Sequence, residues 1–253
     1  MSLFRRAVVP DAETGGGHDR APRVTVRLDD VHVRLGERDV LRGIDLELTE
    51  HRVGVVGANG SGKSTLARLL NGLVVPTRGD VVVDGLDTRT QGAAVRRLVG
   101  FVFTDPDAQI VMPTVAEDVA YSLRPRRGEP SLPEAERAAV VHAALAERGL
   151  AGHADHPAHL LSGGQKQLLA ITSVLVTEPR LLVADEPTTL LDLRNSRAIG
   201  RLLGSLTQQV VVVTHDLDLL DGYDRVLVVD DGRVVADDEP GPALAFYRRL
   251  MEA

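Results

Sequence analysis

Residues 57–65 read GANGSGKST and match G-x-x-x-x-G-K-[ST], the pattern of a loop that holds the phosphates of a nucleoside triphosphate. Its glycines allow the backbone to approach phosphate oxygens closely, and successive N–H groups at the start of the following helix then face the β-phosphate. We expect Lys63 to reach the β- and γ-phosphates and the Ser64 hydroxyl to bind Mg²⁺. The predicted nucleotide-binding residues here are Gly57, Ala58, Asn59, Gly60, Ser61, Gly62, Lys63, Ser64 and Thr65.

The surroundings of this loop favour a phosphate site over an accidental glycine-rich turn. Residues 53–57 are predicted to form a buried strand and 63–71 a helix, which is the context that a phosphate loop requires. The chain has two lysines, Lys63 and Lys166, against 27 arginines. A general preference for arginine explains that ratio, but it does not explain why a lysine stands where a compact, flexible cation must reach phosphates.

A second chemical feature is the pair of acids that ends the apolar run at residues 181–186, LLVADE. In open α/β folds, ligands bind at the carboxyl edge of the sheet, where such a strand presents its last side chains. We expect Asp185 to hold Mg²⁺, through water, and Glu186 to act as the general base that polarises the attacking water. The alternative is a solvated acidic pair, which is weakened by the phosphate loop upstream and by Pro187, which ends the strand.

A third feature is the segment LSGGQK at residues 161–166. Backbone N–H groups at a helix start and a serine hydroxyl suit a γ-phosphate, so this segment is a candidate anion site. Its predicted binding residues are Ser162, Gly163, Gly164 and Gln165. The alternative is a plain helix cap with Ser162 at the N-cap, which accounts for the serine but not for two glycines followed by Gln165.

Together these segments resemble the ABC ATPases, over residues 24–240 or so, with LSGGQK as the family's signature and Asp192 in its D-loop. The resemblance implies that the signature of one subunit grips the nucleotide bound to the other, so that hydrolysis requires a dimer. His215, which follows the apolar run 210–214, stands where the family places a switch histidine. The resemblance therefore implies that His215 contacts the γ-phosphate, although a lone histidine at a strand end is more often structural.

More narrowly, residues 99–103, 105–109 and 113–120 resemble energy-coupling factor (ECF) ATPases, which power uptake of vitamins and of cobalt or nickel ions. Residues 48–50 and 67–73 look closest to the biotin-uptake member. In this group a glutamine in the place of Gln109 opens a short helix that contacts the membrane partner. The resemblance thus implies that residues 109–117 form that contact surface, whereas an ordinary exposed loop is the alternative.

The chain departs from the family in three places. Thr104 replaces a glutamine that touches Mg²⁺ and the attacking water, so its shorter hydroxyl is a candidate metal contact through water. Leu35 replaces an aromatic residue that stacks on adenine, and His32 is a possible substitute unless it faces solvent or sheet. Residues 50–52 lack the usual glycine before the core strand.

The resemblance implies an α/β fold: a P-loop ABC ATPase core with a mixed β-sheet, an N-terminal antiparallel β subdomain and a helical subdomain. We expect a disordered leader over 1–22, the ATPase domain over 23–240 with its helical subdomain at about 104–165, and a C-terminal helix over 241–253. Apolar runs at 181–185 and 210–214 are typical of parallel strands buried on both faces. The pattern turns helical from Thr114 to about residue 150.

Composition limits the possible partners. The net charge is −7 and no basic stripe carries interleaved aromatic residues, which argues against nucleic acid as a main partner. The chain has no cysteine, which excludes disulfides and thiolate chemistry. No run approaches the roughly 18 apolar residues of a membrane span. The resemblance to ECF ATPases implies a peripheral protein at the cytoplasmic face of the cell membrane.

The leading functional hypothesis is an ATP- and Mg²⁺-dependent motor for a membrane transporter, working as a homodimer or with a paralogous ATPase, on integral membrane scaffold and substrate-binding subunits. A second hypothesis is a non-transport ABC ATPase that acts on ribosomes or DNA. The roughly hundred residues between phosphate loop and signature contain no sustained heptads, and the chain carries one ATPase unit, which argues against it. A small-molecule P-loop kinase, the third hypothesis, leaves Ser162–Gln165 and His215 without a role.

Overall fold

The computed structural model describes residues 23–125 and 130–252. The predicted leader over 1–22 lies outside the described residues. The strands of the described part are β1 (Val26–Leu35), β2 (Arg38–Leu48), β3 (Arg52–Val56), β4 (Arg78–Val83), β5 (Leu86–Asp87), β6 (Val99–Val102), β7 (Leu181–Asp185), β8 (Gln209–Val213), β9 (Arg225–Asp230) and β10 (Arg233–Asp238).

The described residues also form seven α-helices, three of which follow one another between β6 and β7. They are α1 (Lys63–Leu70), α2 (Gly92–Leu98), α3 (Val115–Ser122), α4 (Glu134–Glu147), α5 (Gly163–Leu175), α6 (Leu193–Ser205) and α7 (Pro240–Glu252). Short 3₁₀ turns cover Pro106–Ala108, Ala151–His153, Ala158–Leu160 and Leu217–Leu220. Within the described ranges, none of these helices has the length and apolar character needed to cross a membrane.

The larger sheet has six strands in the order β10-β9-β3-β8-β7-β6. Strand β10 pairs antiparallel at one edge, and the other neighbours pair in parallel. Every residue of β3, β7 and β8 is buried, as the continuous apolar runs predict. Because parallel strands end at one edge, this sheet brings the segments after β3, β7 and β8 together.

The smaller sheet is antiparallel, in the order β2-β1-β4-β5, and covers α1 and one face of the larger sheet. The sequence pattern predicts two short strands at 24–28 and 31–34, whereas the structure has the single strand β1. Asp30 adopts φ 44° at an irregularity in the pairing, so the two acids form a bulge rather than a turn. Gly79 fits beside it, because a Cβ at that position would lie 2.2 Å from the carbonyl oxygen of Asp30.

The other face of the larger sheet packs against α5, α6 and α7. Arg52, at the start of β3, is 6% exposed and donates hydrogen bonds to the carbonyls of Gly204, Leu206 and Gln208 at the end of α6. Its guanidinium therefore satisfies carbonyls that the last turn of a helix leaves without partners. Arg52 thus has a structural role in the segment 50–52, which lacks the usual glycine before the core strand.

A third core cluster joins α3, α4 and α5 and forms the helical unit. The predicted helical pattern from 114 to about 150 corresponds to α3 and α4 with a non-helical segment between them. The sequence pattern gives no indication of α2, because this helix is short and begins without a side-chain N-cap hydrogen bond. The mixed α/β class, with its antiparallel sheet and helical unit, is confirmed, while the proposed domain boundaries stay predictions.

Candidate functional site

The phosphate loop joins the buried strand β3 to the start of α1. Gly57, Gly60 and Gly62 have φ values of 154°, 77° and 108°, which side chains rarely tolerate. A Cβ on Gly57 would lie 2.0 Å from the carbonyl oxygen of Val229, and one on Gly62 would lie 2.8 Å from Leu41. The glycines are therefore required by the packing of this protein as well as by any phosphate.

Lys63 folds back over this loop. Its Nζ donates hydrogen bonds to the carbonyl oxygens of Gly57 (2.8 Å) and Ala58 (2.9 Å), and the side chain is 6% exposed. Burial lowers the pKa of the Lys63 ammonium, against the raising effects of Glu186 and Asp185. An incoming phosphate would supply the anionic partner that a buried ammonium favours.

Ser64 and Asp185 meet at the carboxyl edge of the larger sheet. The Ser64 hydroxyl donates to Asp185 Oδ1 at 2.8 Å, and an Arg68 nitrogen lies 3.7 Å from Oδ2. Asp185 is 1% exposed, and burial raises the pKa of its carboxyl, against the hydrogen bond from Ser64 and the charge of Arg68. The Thr104 hydroxyl donates to the backbone oxygen of Asp185 at 2.9 Å. This set of hydroxyl and carboxylate oxygens suits Mg²⁺, which prefers oxygen ligands.

Glu186 and His215 lie side by side at the ends of β7 and β8. Glu186 Oε2 accepts hydrogen bonds from His215 Nδ1 (2.7 Å) and from the Thr189 hydroxyl (2.9 Å), which fix the orientation of the carboxylate. Glu186 has φ 53°, a conformation that costs a residue with a side chain about 1–3 kcal/mol. The pair is therefore held in place at the expense of local backbone strain.

A cavity of about 290 Å³ opens beside the phosphate loop. Besides loop residues and Glu186, its lining includes Arg38 and Val40, which sequence analysis did not identify. Arg38 Nη2 donates to the carbonyl oxygen of Gly60 at 3.1 Å. The two residues lie at the start of β2. The sequence pattern of that strand gave no sign that they border a nucleotide site. The lining is Arg38, Val40, Asn59, Gly60, Gly62, Lys63, Ser64, Thr65 and Glu186.

The two residues considered for adenine stacking lie elsewhere. Leu35 is 53% exposed and does not line the described cavity. His32 Nε2 lies 2.9 Å from Asp30 Oδ1, so this side chain pairs with the bulge of β1. The interpretation of His32 as a substitute for the aromatic residue is therefore not supported by its contacts.

The signature segment forms the start of α5. Ser162 is the N-cap: its hydroxyl accepts from the Gln165 N–H, and Gln165 Oε1 accepts from the Ser162 N–H at 2.9 Å. A Cβ on Gly164 would lie 2.5 Å from Asn195 Cγ, and Asn195 in turn bonds Asp192, the N-cap of α6. A capping box and close helix packing thus account for Gln165 and Gly164. None of residues 162–165 lines the cavity within the described part of the chain.

The side chain of Gln109 makes its hydrogen bonds within the protein. Its side chain accepts from the N–H of Phe103 at 3.1 Å and donates to the carbonyls of Phe101 and Ala170. It therefore joins the end of β6 to α5. Val111, two residues later, is 63% exposed, so the loop itself still offers apolar surface.

Comparison with known proteins agrees with this geometry. The family model described as ABC transporter matches residues 41–189. The biotin transport ATP-binding protein BioM of Rhizobium etli is 44% identical over 227 residues, which cover 90% of this chain and 99% of BioM. The energy-coupling factor transporter ATP-binding protein EcfA1 of Symbiobacterium thermophilum is 45% identical over 221 residues, 84% of this chain and 75% of EcfA1.

A solved structure is similar over most of its length. The dimeric post-hydrolysis state of the ATP-binding cassette MJ0796, bound to ADP and Pi, has a TM-score of 0.74 at 31% identity and covers 85% of this chain and 98% of that one. With the family match and these relatives, the chain belongs to the ATP-binding proteins of the ABC transporter family, whose cassettes hydrolyse ATP to power transport.

Proposed function

We propose that this ABC ATPase is the motor of an ECF-type uptake transporter whose cargo is a vitamin, biotin first, with a cobalt or nickel ion as the second candidate. The observation that carries the proposal is that BioM matches nearly from end to end, with only 1% of its own length left uncovered. The similarity to EcfA1 supports the same transporter type. The cargo is bound by membrane subunits, so this chain supplies the energy and not the recognition.

The phosphates of ATP would lie in the cavity beside the loop 57–65. In this role Lys63 leaves the loop carbonyls for the β- and γ-phosphates, and the N–H groups at the start of α1 face the β-phosphate. Ser64, Asp185 and Thr104 would hold Mg²⁺, directly or through water. When bound, this ion neutralises charge that develops on the phosphate oxygens.

Glu186 would act as the general base of hydrolysis, and His215 would contact the γ-phosphate. The carboxylate of Glu186 is oriented by His215 and Thr189, as a base that must meet one water requires. It accepts the proton as water attacks the γ-phosphorus and the bond to ADP breaks. Phosphate and ADP are the products.

Two subunits would close on ATP, because the signature lies away from the cavity of its own chain. Ser162, at the exposed start of α5, would meet a phosphate bound to the other subunit. Leu190 and Leu193, beside the N-cap of α6, are 63% and 66% exposed, which suits a face that closes against a second cassette. The dimeric MJ0796 cassette supports this arrangement. The second subunit is a copy of this chain or a paralogue.

The membrane partner would dock on a groove of about 530 Å³ between the ATPase core and the helical unit. Phe101 and Phe103 of the core and Tyr121 of α3 line this groove, and Leu73 and Tyr121 are 45% and 43% exposed. An apolar helix of a membrane subunit fits such a groove. Docking there would place the protein at the cytoplasmic face of the membrane, as a peripheral subunit.

Affinity purification of the tagged chain from detergent-solubilised membranes tests this function. We expect integral membrane subunits to co-purify, and ATP-dependent uptake of labelled biotin in vesicles that contain the complex. Uptake of cobalt or nickel with no biotin uptake would select the second cargo. Recovery of ribosomes or DNA without any integral membrane protein would favour the non-transport alternative.

A further inference from the structure

Four groups are joined by successive contacts at the signature segment: the Ser162 N–H and the side chains of Gln165, His153 and His156. The Ser162 N–H donates to Gln165 Oε1 at 2.9 Å, and Gln165 Nε2 lies 3.0 Å from His153 Nε2. His153 Nδ1 in turn lies 2.9 Å from His156 Nδ1, with the two rings edge to face at 4.9 Å. Neither histidine has a part in the site described so far.

The positions of the protons follow from these contacts. Gln165 Oε1 accepts from Ser162, so its amide nitrogen, which can only donate, faces His153. His153 Nε2 must therefore be an unprotonated acceptor, and the ring carries its proton on Nδ1. That proton points at His156 Nδ1, which must accept, so His156 carries its proton on Nε2.

Opposite tautomers in two neutral rings are thus required, and protonation of either ring places two N–H groups face to face. Acid therefore breaks the chain of bonds. In the described ranges no group of three His, Cys, Asp or Glu residues is placed to hold a metal ion, so the pair is better explained by hydrogen bonding. The charged groups on neighbouring elements are Glu117 on α3, Lys166 on α5 with its partner Asp107, and Asp155 and His159 in the same segment.

We propose that His153 is a positioning residue, kept in its Nδ1–H tautomer by His156. It holds the Gln165 side chain in its hydrogen bond with the Ser162 N–H. The start of α5 is thereby fixed for contact with a phosphate bound to the other subunit. The role in phosphate contact rests on the proposed function, but the hydrogen bonds do not. His153 lies in the 3₁₀ turn Ala151–His153, ahead of the signature, and acts on ATP only through Gln165.

The tautomers are tested on the full chain without nucleotide. Histidine labelled with ¹⁵N reports by NMR which ring nitrogen carries the proton, and His153→Gln and His156→Gln assign the signals. At pH 8 we expect Nδ1–H for His153 and Nε2–H for His156. A proton on Nε2 of His153 would overturn the proposal. This measurement needs no ATP. It therefore tests the proposed hydrogen bonds of His153 separately from the proposed ATPase function.

Turnover tests the positioning role. His153→Leu removes both ring nitrogens and should lower kcat about 3- to 10-fold, the effect of one hydrogen bond, with nucleotide affinity and melting temperature within error of wild type. His153→Gln keeps an acceptor near the place of Nε2 and should restore kcat to within about twofold. The matched control is His142→Gln on the exposed side of α4, which should match wild type.

The pH profile separates positioning from a general structural effect. On acidification the wild type should lose more activity than His153→Gln, because a proton on His153 Nε2 removes the acceptor, whereas the amide oxygen of Gln remains one. His215 is present in both proteins, so the ratio of their rates isolates the effect of His153. Wild-type turnover in His153→Leu, equal losses in the Leu and Gln variants, or identical pH profiles would each overturn the proposal.

Discussion

His215 Nδ1 lies 2.7 Å from Glu186 Oε2, across 29 residues of sequence. An ionised carboxylate only accepts, so Nδ1 donates, and a neutral His215 then presents Nε2 as an acceptor. His215 can therefore donate to a phosphate oxygen only as an imidazolium or after its bond to Glu186 opens. Contact with a γ-phosphate is thereby coupled to the orientation of the candidate general base.

Replacement of Glu186 by Gln should lower ATP turnover by about 100- to 10,000-fold, the usual effect of removing a general base. ATP binding should persist, because the amide keeps the shape of the side chain. Phosphate release measures the first effect and the ATP-loaded oligomeric state the second, which we expect to be a dimer. The matched control is Glu147→Gln at the exposed end of α4. Turnover in Glu186→Gln equal to that of the control would remove the assignment.

Lys63→Ala should weaken ATP binding by about 10- to 100-fold, since the lost group makes charge-assisted hydrogen bonds to phosphate. The chain offers its other lysine as the comparison, because Lys166 pairs with Asp107 and does not line the cavity. Isothermal titration with a non-hydrolysed ATP analogue measures both variants. Equal affinities in Lys63→Ala and Lys166→Ala would contradict the role of Lys63.

Asp185→Asn should raise the thermal midpoint of the nucleotide-free protein and reduce its further stabilisation by Mg²⁺ and ATP, because one metal contact is lost while Lys63 and the loop still hold the phosphates. Burial raises the pKa of Asp185 above its ordinary 3.8, so the folded state disfavours the charged form. This cost is absent below pH 3.8, appears as the pH rises towards the folded-state pKa, and is complete above it.

The excess stability of Asp185→Asn over wild type should therefore grow from acidic to neutral pH. Scanning calorimetry across that range, with and without Mg²⁺ and ATP, measures it. Ser205→Ala, on the surface of α6, is the control and should leave both the midpoint and the ligand effect unchanged. A lower midpoint for Asp185→Asn at neutral pH would show that Ser64 and Arg68 outweigh the cost of burial.

Arg38→Ala should weaken ATP binding by about two- to fivefold, the magnitude of a cation–π contact at a partly exposed site. Arg38 and Val40 line the cavity beside the phosphate loop, and we expect the base of ATP to lie against them. A planar guanidinium stacks on adenine, whereas an ammonium makes only a point-charge contact with the ring, so Arg38→Lys should restore affinity only in part. Unchanged affinity in Arg38→Ala would exclude a contact with the nucleotide.

Asp118→Ala should destabilise the protein by about 2–4 kcal/mol, because it leaves buried donors without their charged acceptor. The carboxylate is 3% exposed and accepts from Val111 N–H, Met112 N–H and the Ser173 hydroxyl. Urea denaturation measures the loss. Asp80→Ala, which removes an exposed and long ion pair, should change stability by less than about 0.5 kcal/mol. A similar small effect for Asp118→Ala would contradict this anchoring role.

The chemistry of the loop 57–65 and of the acids at the end of β7 could be predicted from the sequence. Their patterns contain both the reactive residue types and the buried strands that precede them. The buried parallel strands could be predicted for the same reason, since β3, β7 and β8 are each apolar runs apart from one terminal residue. The bulge at Asp30 could not be predicted, because two successive acids have the pattern of a turn. Only the folded structure shows that Gly79 of the neighbouring strand leaves room for the bulge. The role of Arg52 was also hidden, since its partners are carbonyls of a helix that ends some 150 residues later.

By itself, the sequence determined that a glycine loop, two acids and a histidine follow buried strands, since side-chain type and apolar runs are local properties of the chain. Tertiary structure alone decided that Glu186 and His215 share a hydrogen bond, that Arg38 borders the cavity, and that Gln165 is held by His153. These relationships depend on strand order and helix packing, which join residues far apart in sequence through contacts that no local pattern encodes.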